Sequence, residues 1–374
     1  MRTAIVTGAS GFIGSRLVHQ LLMRGWSVHA LGRSKSGKSY EDRVEAALDD
    51  IDGRPIEPSL LPELRCHEVG ICDSDLGLSR PISEILPGTD AVLFHVAGDT
   101  RFNPTDPEAQ RRVNIGGSLN VMRALQDSVA SVVHVSTAYV AGDRQGLVLE
   151  SDLDEGQGFC NCYEKSKSDA EIEITDLCAE SGLPLTIVRP SIITNDTATG
   201  RSSTFTHLNA IVEVISRIQK HYGIADGEVV SEEIRIPADP ESRPNLAPID
   251  PIVDSLLEIG IDERGAGKTF HLSHPDPQPN SEVVALAADA FGVRDKVELS
   301  FVSAVPEDPT WTERMLLRSL KPYLPYLNGA CTFDLTNTRS LIPDYDSRFP
   351  PITLDYMVKV IEFQRHMGEE GEQA

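Results

Sequence analysis

Thr3-Ala4-Ile5-Val6-Thr7-Gly8-Ala9-Ser10-Gly11-Phe12-Ile13-Gly14 decides the fold. An apolar run ends at Val6, three glycines follow in the spacing G-x-x-G-x-x-G, and helical character begins near Phe12 and runs to about Arg24. This reads as a strand, a tight turn and a helix. Gly8, Gly11 and Gly14 let the chain reverse sharply and let backbone N–H groups approach a pyrophosphate at the helix N-terminus. The spacing departs from the dehydrogenase pattern G-x-G-x-x-G. A Gly-rich turn alone is weak evidence, and its place between a strand and a helix makes it a dinucleotide cradle.

Working outward, strand-like apolar runs recur near 3–7, 26–31, 65–69, 91–96, 131–136 and 185–189, with helical stretches between them. That alternation predicts an α/β fold of the Rossmann type, a doubly wound parallel sheet. Thr269-Phe270-His271-Leu272 is expected to return as a further strand. The cofactor domain is therefore expected at 1–195, with 246–275 returning to it. The proline-rich, irregular stretches 196–245 and 276–374 are expected to form a smaller substrate-binding part. The stripe Trp311, Met315, Leu316, Leu320, Tyr323, Leu324 and Leu327 reads as core rather than as a lid over ligand.

A second motif supplies an acid. Tyr163-Glu164-Lys165-Ser166-Lys167 opens a helical stretch, and Thr137 ends the apolar run Val132-Val133-His134-Val135-Ser136. A free phenol titrates near 10, too high for efficient proton exchange at neutral pH. A lysine four residues later on a helix shares its face, and the positive charge favours tyrosinate. Thr137 can hold a substrate oxygen against the phenol. Y-x-x-x-K alone is a common surface pair; downstream of a nucleotide cradle it reads as catalytic.

Gly32-Arg33-Ser34-Lys35-Ser36-Gly37-Lys38-Ser39 fits the P-loop pattern G-x-x-x-x-G-K-[ST]. An NTPase also needs a magnesium-binding Asp at the end of another strand, and the candidate strands end in His95-Val96-Ala97 and Ser136-Thr137. The stretch falls where a second Rossmann strand meets the adenine ribose. Arg33, with Lys35 and Lys38 near it, favours a 2′-phosphate and hence NADP over NAD, with Arg43 next in line. Cys160 and Cys162 beside the tyrosine do not make a zinc site by themselves, and no metal is expected. His95 is expected to line the cofactor cleft or pack locally, and Asn114 to brace the active-site helix.

Composition fits a soluble enzyme. The 374 residues carry 57 acidic and 34 basic side chains, a net charge of −23, which disfavours nucleic acid and anionic membranes as partners. No run of 18 apolar residues predicts a membrane span. The first residues are used by a strand and a cofactor turn, which argues against a signal peptide. Six irregularly spaced cysteines suit a reducing cytoplasm.

At this point the residues resemble the extended short-chain dehydrogenases/reductases, in the branch of thioester reductases and fatty acyl-CoA reductases with a male sterility-type NAD-binding domain. Besides the two motifs, the stretches carrying the resemblance are Leu76-Gly77-Leu78-Ser79, His95-Val96-Ala97-Gly98, Val113-Asn114-Ile115-Gly116-Gly117, Val135-Ser136-Thr137-Ala138-Tyr139-Val140 and Arg189-Pro190-Ser191-Ile192-Ile193. They cover about residues 1–275; beyond that only Phe333-Asp334-Leu335-Thr336-Asn337-Thr338 looks familiar. One stretch departs: Gly70-Ile71-Cys72-Asp73 replaces a Gly-Asp pair and is a residue shorter. The resemblance implies catalytic residues Thr137, Tyr163 and Lys167. It implies cofactor contacts from Gly8, Ser10, Gly11, Phe12, Ile13 and Gly14 in the turn and from Arg33 and Ser34 after the second strand. Further contacts would come from Ile71, Ala97, Gly98, Val135, Pro190 and Ile192, with Tyr163 and Lys167 on the ribose.

The implied reaction is NADPH-dependent reduction of an acyl thioester, on CoA or a carrier phosphopantetheine, to an aldehyde, with further reduction to an alcohol left open. The chain shows no adenylation or carrier region, so a thioester made elsewhere is expected. Two other readings stay open: a sugar-nucleotide epimerase or carbonyl or hydroxysteroid-type dehydrogenase, and a non-enzymatic NADP sensor. Monomer and homodimer are both open.

Overall fold

The seven apolar runs become one parallel sheet in the computed structural model, which describes residues 2–86, 90–222, 233–329 and 331–373. The strands are β1 (Thr3–Thr7), β2 (Ser27–Gly32), β3 (Leu64–Glu68), β4 (Val92–His95), β5 (Ser131–Val135), β6 (Leu185–Pro190) and β7 (Thr269–Leu272). Their order across the sheet is β7-β6-β5-β4-β1-β2-β3. In register, Ala4 faces Val28 on one side and Val92 on the other. β1 is continuously apolar because helices cover both faces of a parallel sheet, and Ala4, Ile5 and Val6 are fully buried. The chain winds one way from β1 through β2 to β3, then crosses back to β4. The order thus reverses between β1 and β4, where doubly wound sheets bind ligands beyond the strands' carboxyl ends.

Two helices flank the sites of interest. α1 (Phe12–Met23) follows the Gly-rich turn. A later one, α2 (Cys162–Ser181), opens at Asn161, whose side chain accepts the Glu164 N–H at 3.0 Å, and stops at the left-handed Gly182. That N-cap fixes where the helix starts and hence which face carries Tyr163 and Lys167.

The chain divides into two units. The first holds Met1–Ser191, Asp250–Ser273 and Phe333–Asp346; the second holds Ile192–Ile249, His274–Thr332 and Ser347–Ala374. Phe333–Asp346, assigned by the sequence reading to the substrate part, thus belongs with the sheet. A buried carboxylate explains why. Glu150 accepts the His271 N–H at 3.0 Å, the Asn337 N–H at 2.5 Å, and the Thr338 N–H and hydroxyl at 3.2 and 2.8 Å. A second buried acid, Glu171, accepts two bonds from Arg189 Nε and one of 2.6 Å from its Nη2.

The second unit is more regular than its sequence reads. Helices His207–Tyr222, Asn280–Ala290, Trp311–Leu320 and Leu354–Gln373 enclose a core that includes Leu208, Val283, Met357 and Val360. Strand Glu233–Ile236 pairs with Glu298–Phe301, and Leu246–Pro248 with Ile192–Thr194, both in parallel. Leu316, Leu320 and Leu327 lie in that core with Tyr323 and Leu324 packed on it, while Trp311 is exposed. Of the 196–245 segment expected to bind substrate, 223–232 lie outside the described residues. Among the described residues no helix is long and apolar enough to cross a membrane.

Candidate active site

The cradle is built by two glycines that nothing else can replace. Gly8 has φ +74°, and a Cβ on it would stand 2.8 Å from the Ala97 nitrogen. A Cβ on Gly14 would stand 2.1 Å from the Gly8 carbonyl oxygen. The turn closes through the Gly11 N–H on the Gly8 carbonyl at 2.9 Å. Gly11 caps α1 without a side chain, and no acid stands in the first helical turn. The N–H groups of Phe12, Ile13 and Gly14 therefore present positive potential to an anion. This is a fit for a dinucleotide pyrophosphate, because the missing side chains let the backbone pack closely enough to hold the turn and aim its N–H groups outward.

A hydrogen-bonded chain runs from this cradle to α2. The Thr7 hydroxyl accepts the Val96 and Ala97 N–H groups at 3.1 and 3.2 Å, so its own proton goes to His95 Nδ1 at 2.8 Å. His95 Nε2 lies 2.8 Å from Ser118 Oγ, which donates to the Asn114 carbonyl at 2.7 Å. Ser118 must then accept, which assigns the ring proton to Nε2. Burial pushes this imidazole down to about 3, so it is neutral. The Asn114 carboxamide spans the next gap. Its oxygen accepts the Asp99 N–H at 2.7 Å and its nitrogen donates to Ser166 Oγ at 2.8 Å, which donates to the Tyr163 carbonyl at 2.8 Å. Asn114 sits on a π-helical stretch, Arg112–Gly117, of the kind that often marks functional positions. It braces α2, as the sequence reading expects.

Thr137, Tyr163 and Lys167 converge at the carboxyl end of β5. The Thr137 hydroxyl hydrogen-bonds the Tyr163 phenol, whose pKa is pushed up to about 12 by burial and held down in part by that bond. Thr137 also lies 3.4 Å from the Pro190 carbonyl and accepts the Tyr139 N–H. Lys167 is only 4% exposed and donates to the Val135 carbonyl at 2.7 Å. Burial lowers its ammonium to about 8, opposed by the charge of Glu171. Phe102 lies beside the phenol, ring centres 6.1 Å apart.

At the other end of the cradle the cationic loop takes a definite shape. Arg43 donates to the Arg33 carbonyl at 2.6 Å and to Ser10 Oγ at 3.0 Å, tying the loop to the Gly-rich turn. The Ser34 N–H and hydroxyl both go to the Glu68 carboxylate, at 2.9 and 2.7 Å. The P-loop look-alike is a small hairpin, Lys35 bridged to Lys38, and Ser39 caps the helix Tyr40–Asp52. Its hydroxyl is committed to the Asp42 N–H. Ile71 packs beside Gly117, and its carbonyl accepts from Asn120 at 3.0 Å. In the departing stretch, Asp73 turns back on Gly70, where a Cβ would stand 2.0 Å from Asp73 Oδ2.

The sequence-derived residues of the cradle, the triad and Val135, Pro190, Ala97 and Gly98 all fall in the first unit; Ile192 falls in the second. The sequence reading missed Ser118 and Ser166 as links and Glu68 as the partner of Ser34. No local pattern marks them, since the side chain each one links to, His95, Asn114 and Ser34, lies 23, 52 and 34 residues away.

The sequence profile of the male sterility protein family matches residues 6–250. The nonribosomal peptide synthetase asaC of Aspergillus flavus is 26% identical over 91% of this chain. This chain spans about a third of that relative, 34% of its length. Among solved structures, the terminal R domain from the myxalamid PKS-NRPS biosynthetic pathway superposes with a TM-score of 0.77 at 21% identity, covering 98% of this chain and 91% of that one. UDP-glucuronic acid 4-epimerase from Bacillus cereus, in complex with NAD, superposes at 0.66 with 15% identity, covering 98% of each. The shared fold therefore reaches across different chemistries.

Proposed function

From the premise that the chain belongs to the male sterility protein family, we propose that it is an oxidoreductase that uses NADPH to reduce an acyl thioester, borne on CoA or a carrier phosphopantetheine, to the aldehyde. The observation that carries this reading is the convergence of Thr137, Tyr163 and the buried Lys167 at the end of β5, in the same unit as a Gly-rich turn too tight for side chains.

The cradle residues Gly8, Ser10, Gly11, Phe12, Ile13 and Gly14 would hold the pyrophosphate. Arg33, Ser34 and Arg43 would meet the adenine ribose phosphate, and Lys167 the nicotinamide ribose. When bound, the nicotinamide supplies a hydride to the carbonyl carbon. Thr137 and Tyr163 donate hydrogen bonds to the oxygen on which charge develops, and Tyr163 delivers the proton that makes the hemithioacetal. Its phenol, near 12, is protonated at neutral pH and can act only as an acid there. The charge of Lys167, one helical turn from Tyr163, would lower the cost of leaving tyrosinate behind. Collapse of the hemithioacetal breaks the C–S bond and releases thiol and aldehyde. The extended-family alternative is epimerisation of a sugar nucleotide, a chemistry carried by the same fold in the UDP-glucuronic acid epimerase.

NADPH oxidation by the purified protein against medium-chain acyl-CoA and the matching aldehyde, with epimerisation of UDP-sugars followed by product analysis because it consumes no NADPH, decides between them. Turnover of the thioester is expected. Failure of every thioester with conversion of a UDP-sugar sinks the proposal.

A further inference from the structure

The second unit contains a cavity of about 50 Å³ between its helices and small strands, with Ile211, Ile215, Val284, Phe301, Leu316 and Leu320 in its wall. Two polar side chains interrupt that wall, His207 and Asn280. The nitrogen of Asn280 is used by the fold: it donates to the Asp239 and Leu327 carbonyls at 2.8 and 2.7 Å. His207 is not used in this way. The residue is 1% exposed, and among the described residues neither ring nitrogen has a hydrogen-bond partner. Its ring meets the Tyr323 ring edge-on, centroids 4.8 Å apart, so it is held in place by packing alone.

An imidazole left this way costs the unit stability, because a buried donor and acceptor go unpaired. A phenylalanine would fill the same volume at no such cost. Water alone is a poor answer, since a buried water needs two to four polar partners and, apart from His207 and Asn280, the wall among the described residues is apolar. The cavity is several times the roughly 10–15 Å³ that one water requires, and its apolar wall rewards carbon. Burial drives the ring toward about 4, so at neutral pH it holds one donor and one acceptor.

We propose that this cavity binds a short aliphatic chain bearing a single hydroxyl or carbonyl oxygen, with His207 as the hydrogen-bond partner of that oxygen. The chain lies among the isoleucines, valines and leucines, and the oxygen satisfies the ring that the fold leaves unpaired. The proposal rests on the reductase reading for its two sources of such a molecule: an oxygenated segment of the acyl substrate, or the short alcohol or aldehyde that its reduction yields.

Binding, which needs no turnover, tests it. The wild-type protein is titrated calorimetrically with 1-hexanol and with 1-chlorohexane, beside His207→Phe, which keeps the volume, and Leu316→Trp, which fills the space. Wild type is expected to prefer the alcohol at least tenfold. His207→Phe should erase that preference while still binding 1-chlorohexane, and should melt higher than wild type. Leu316→Trp should bind neither probe. An unchanged preference in His207→Phe, unchanged binding in Leu316→Trp, or no binding to the wild type would each overturn the proposal. Inhibition by 1-hexanol competitive with thioester identifies the substrate segment as the source, and inhibition that leaves KM unchanged identifies the free product; either supports the cavity as a site. Loss of all thioester activity with the alcohol preference intact would refute the reductase reading and leave the site standing.

Discussion

Lys167 is a cation held where a cation is costly, and that tension has a measurable pH signature. Its folded pKa, about 8, lies below the 10.5 of the free side chain. Between those values the unfolded chain holds a proton that the folded one has released, so stability attributable to this residue rises with pH across that window. Lys167→Met lacks the effect. The difference in unfolding free energy, wild type minus variant, should therefore grow from pH 8 to 10.5 in denaturant titrations; a flat difference would show that the ammonium is not desolvated. Tyr163 makes a complementary prediction. Tyr163→Phe should lower turnover by about 10²- to 10⁴-fold, the usual worth of a positioned acid, with NADPH binding by fluorescence nearly unchanged. A variant retaining more than about a tenth of the rate would remove the phenol from that role. His95 shows how one proton is placed by its neighbours: Thr7 gives and Ser118 takes, so only one neutral tautomer fits. His95→Phe should break the link and weaken cofactor binding and turnover together, measured as parallel changes in Kd and kcat.

At the scale of elements, the loop between β2 and the helix Tyr40–Asp52 is the part we propose to read the cofactor. Arg33→Ala should weaken NADPH by about 2 kcal/mol, the worth of a charged hydrogen bond, and leave NADH nearly untouched in the same titration. Equal losses for both would shift the 2′-phosphate to Arg43, which already bridges Ser10 and the Arg33 backbone. Much of this level was legible beforehand. The Gly-rich turn and the Tyr163–Lys167 pair are local patterns, because a turn and one helical face are set by residues a few positions apart. The boundaries of β1 to β7 were legible to within a residue or two; strands buried on both faces read as apolar runs, while the edge strand β3, Leu64-Arg65-Cys66-His67-Glu68, has no buried residue. The bracing network was not, because Asn114 and Ser166 stand 52 positions apart and His95 and Ser118 23. Nor were the helices of the second unit, where prolines outside the helices mask the apolar periodicity within them. Leu76 was silent as well: it is buried with φ +58°, a left-handed backbone rarely adopted by a leucine.

Across the whole molecule, the first unit depends on a segment that the sequence order places far from it. Glu150 is buried, and burial raises its pKa while the N–H groups and hydroxyl around it lower it. Glu150→Ala strips those donors of their acceptor. It should destabilise the protein by about 1–3 kcal/mol or more, since several buried donors are left unpaired, and hydrogen exchange should rise first in 333–346. Protection lost elsewhere first would mean that the carboxylate is not what holds this segment. The same tether has a temporal side. Asn337 follows Glu150 by 187 positions, which at the usual pace of synthesis is a delay of roughly 10–40 s. For that interval the nascent chain carries an acid that lacks its Asn337 and Thr338 donors, beside β-strands that are already made. The first unit therefore cannot be completed as its strands emerge from the ribosome, but only once 333–346 have been synthesised.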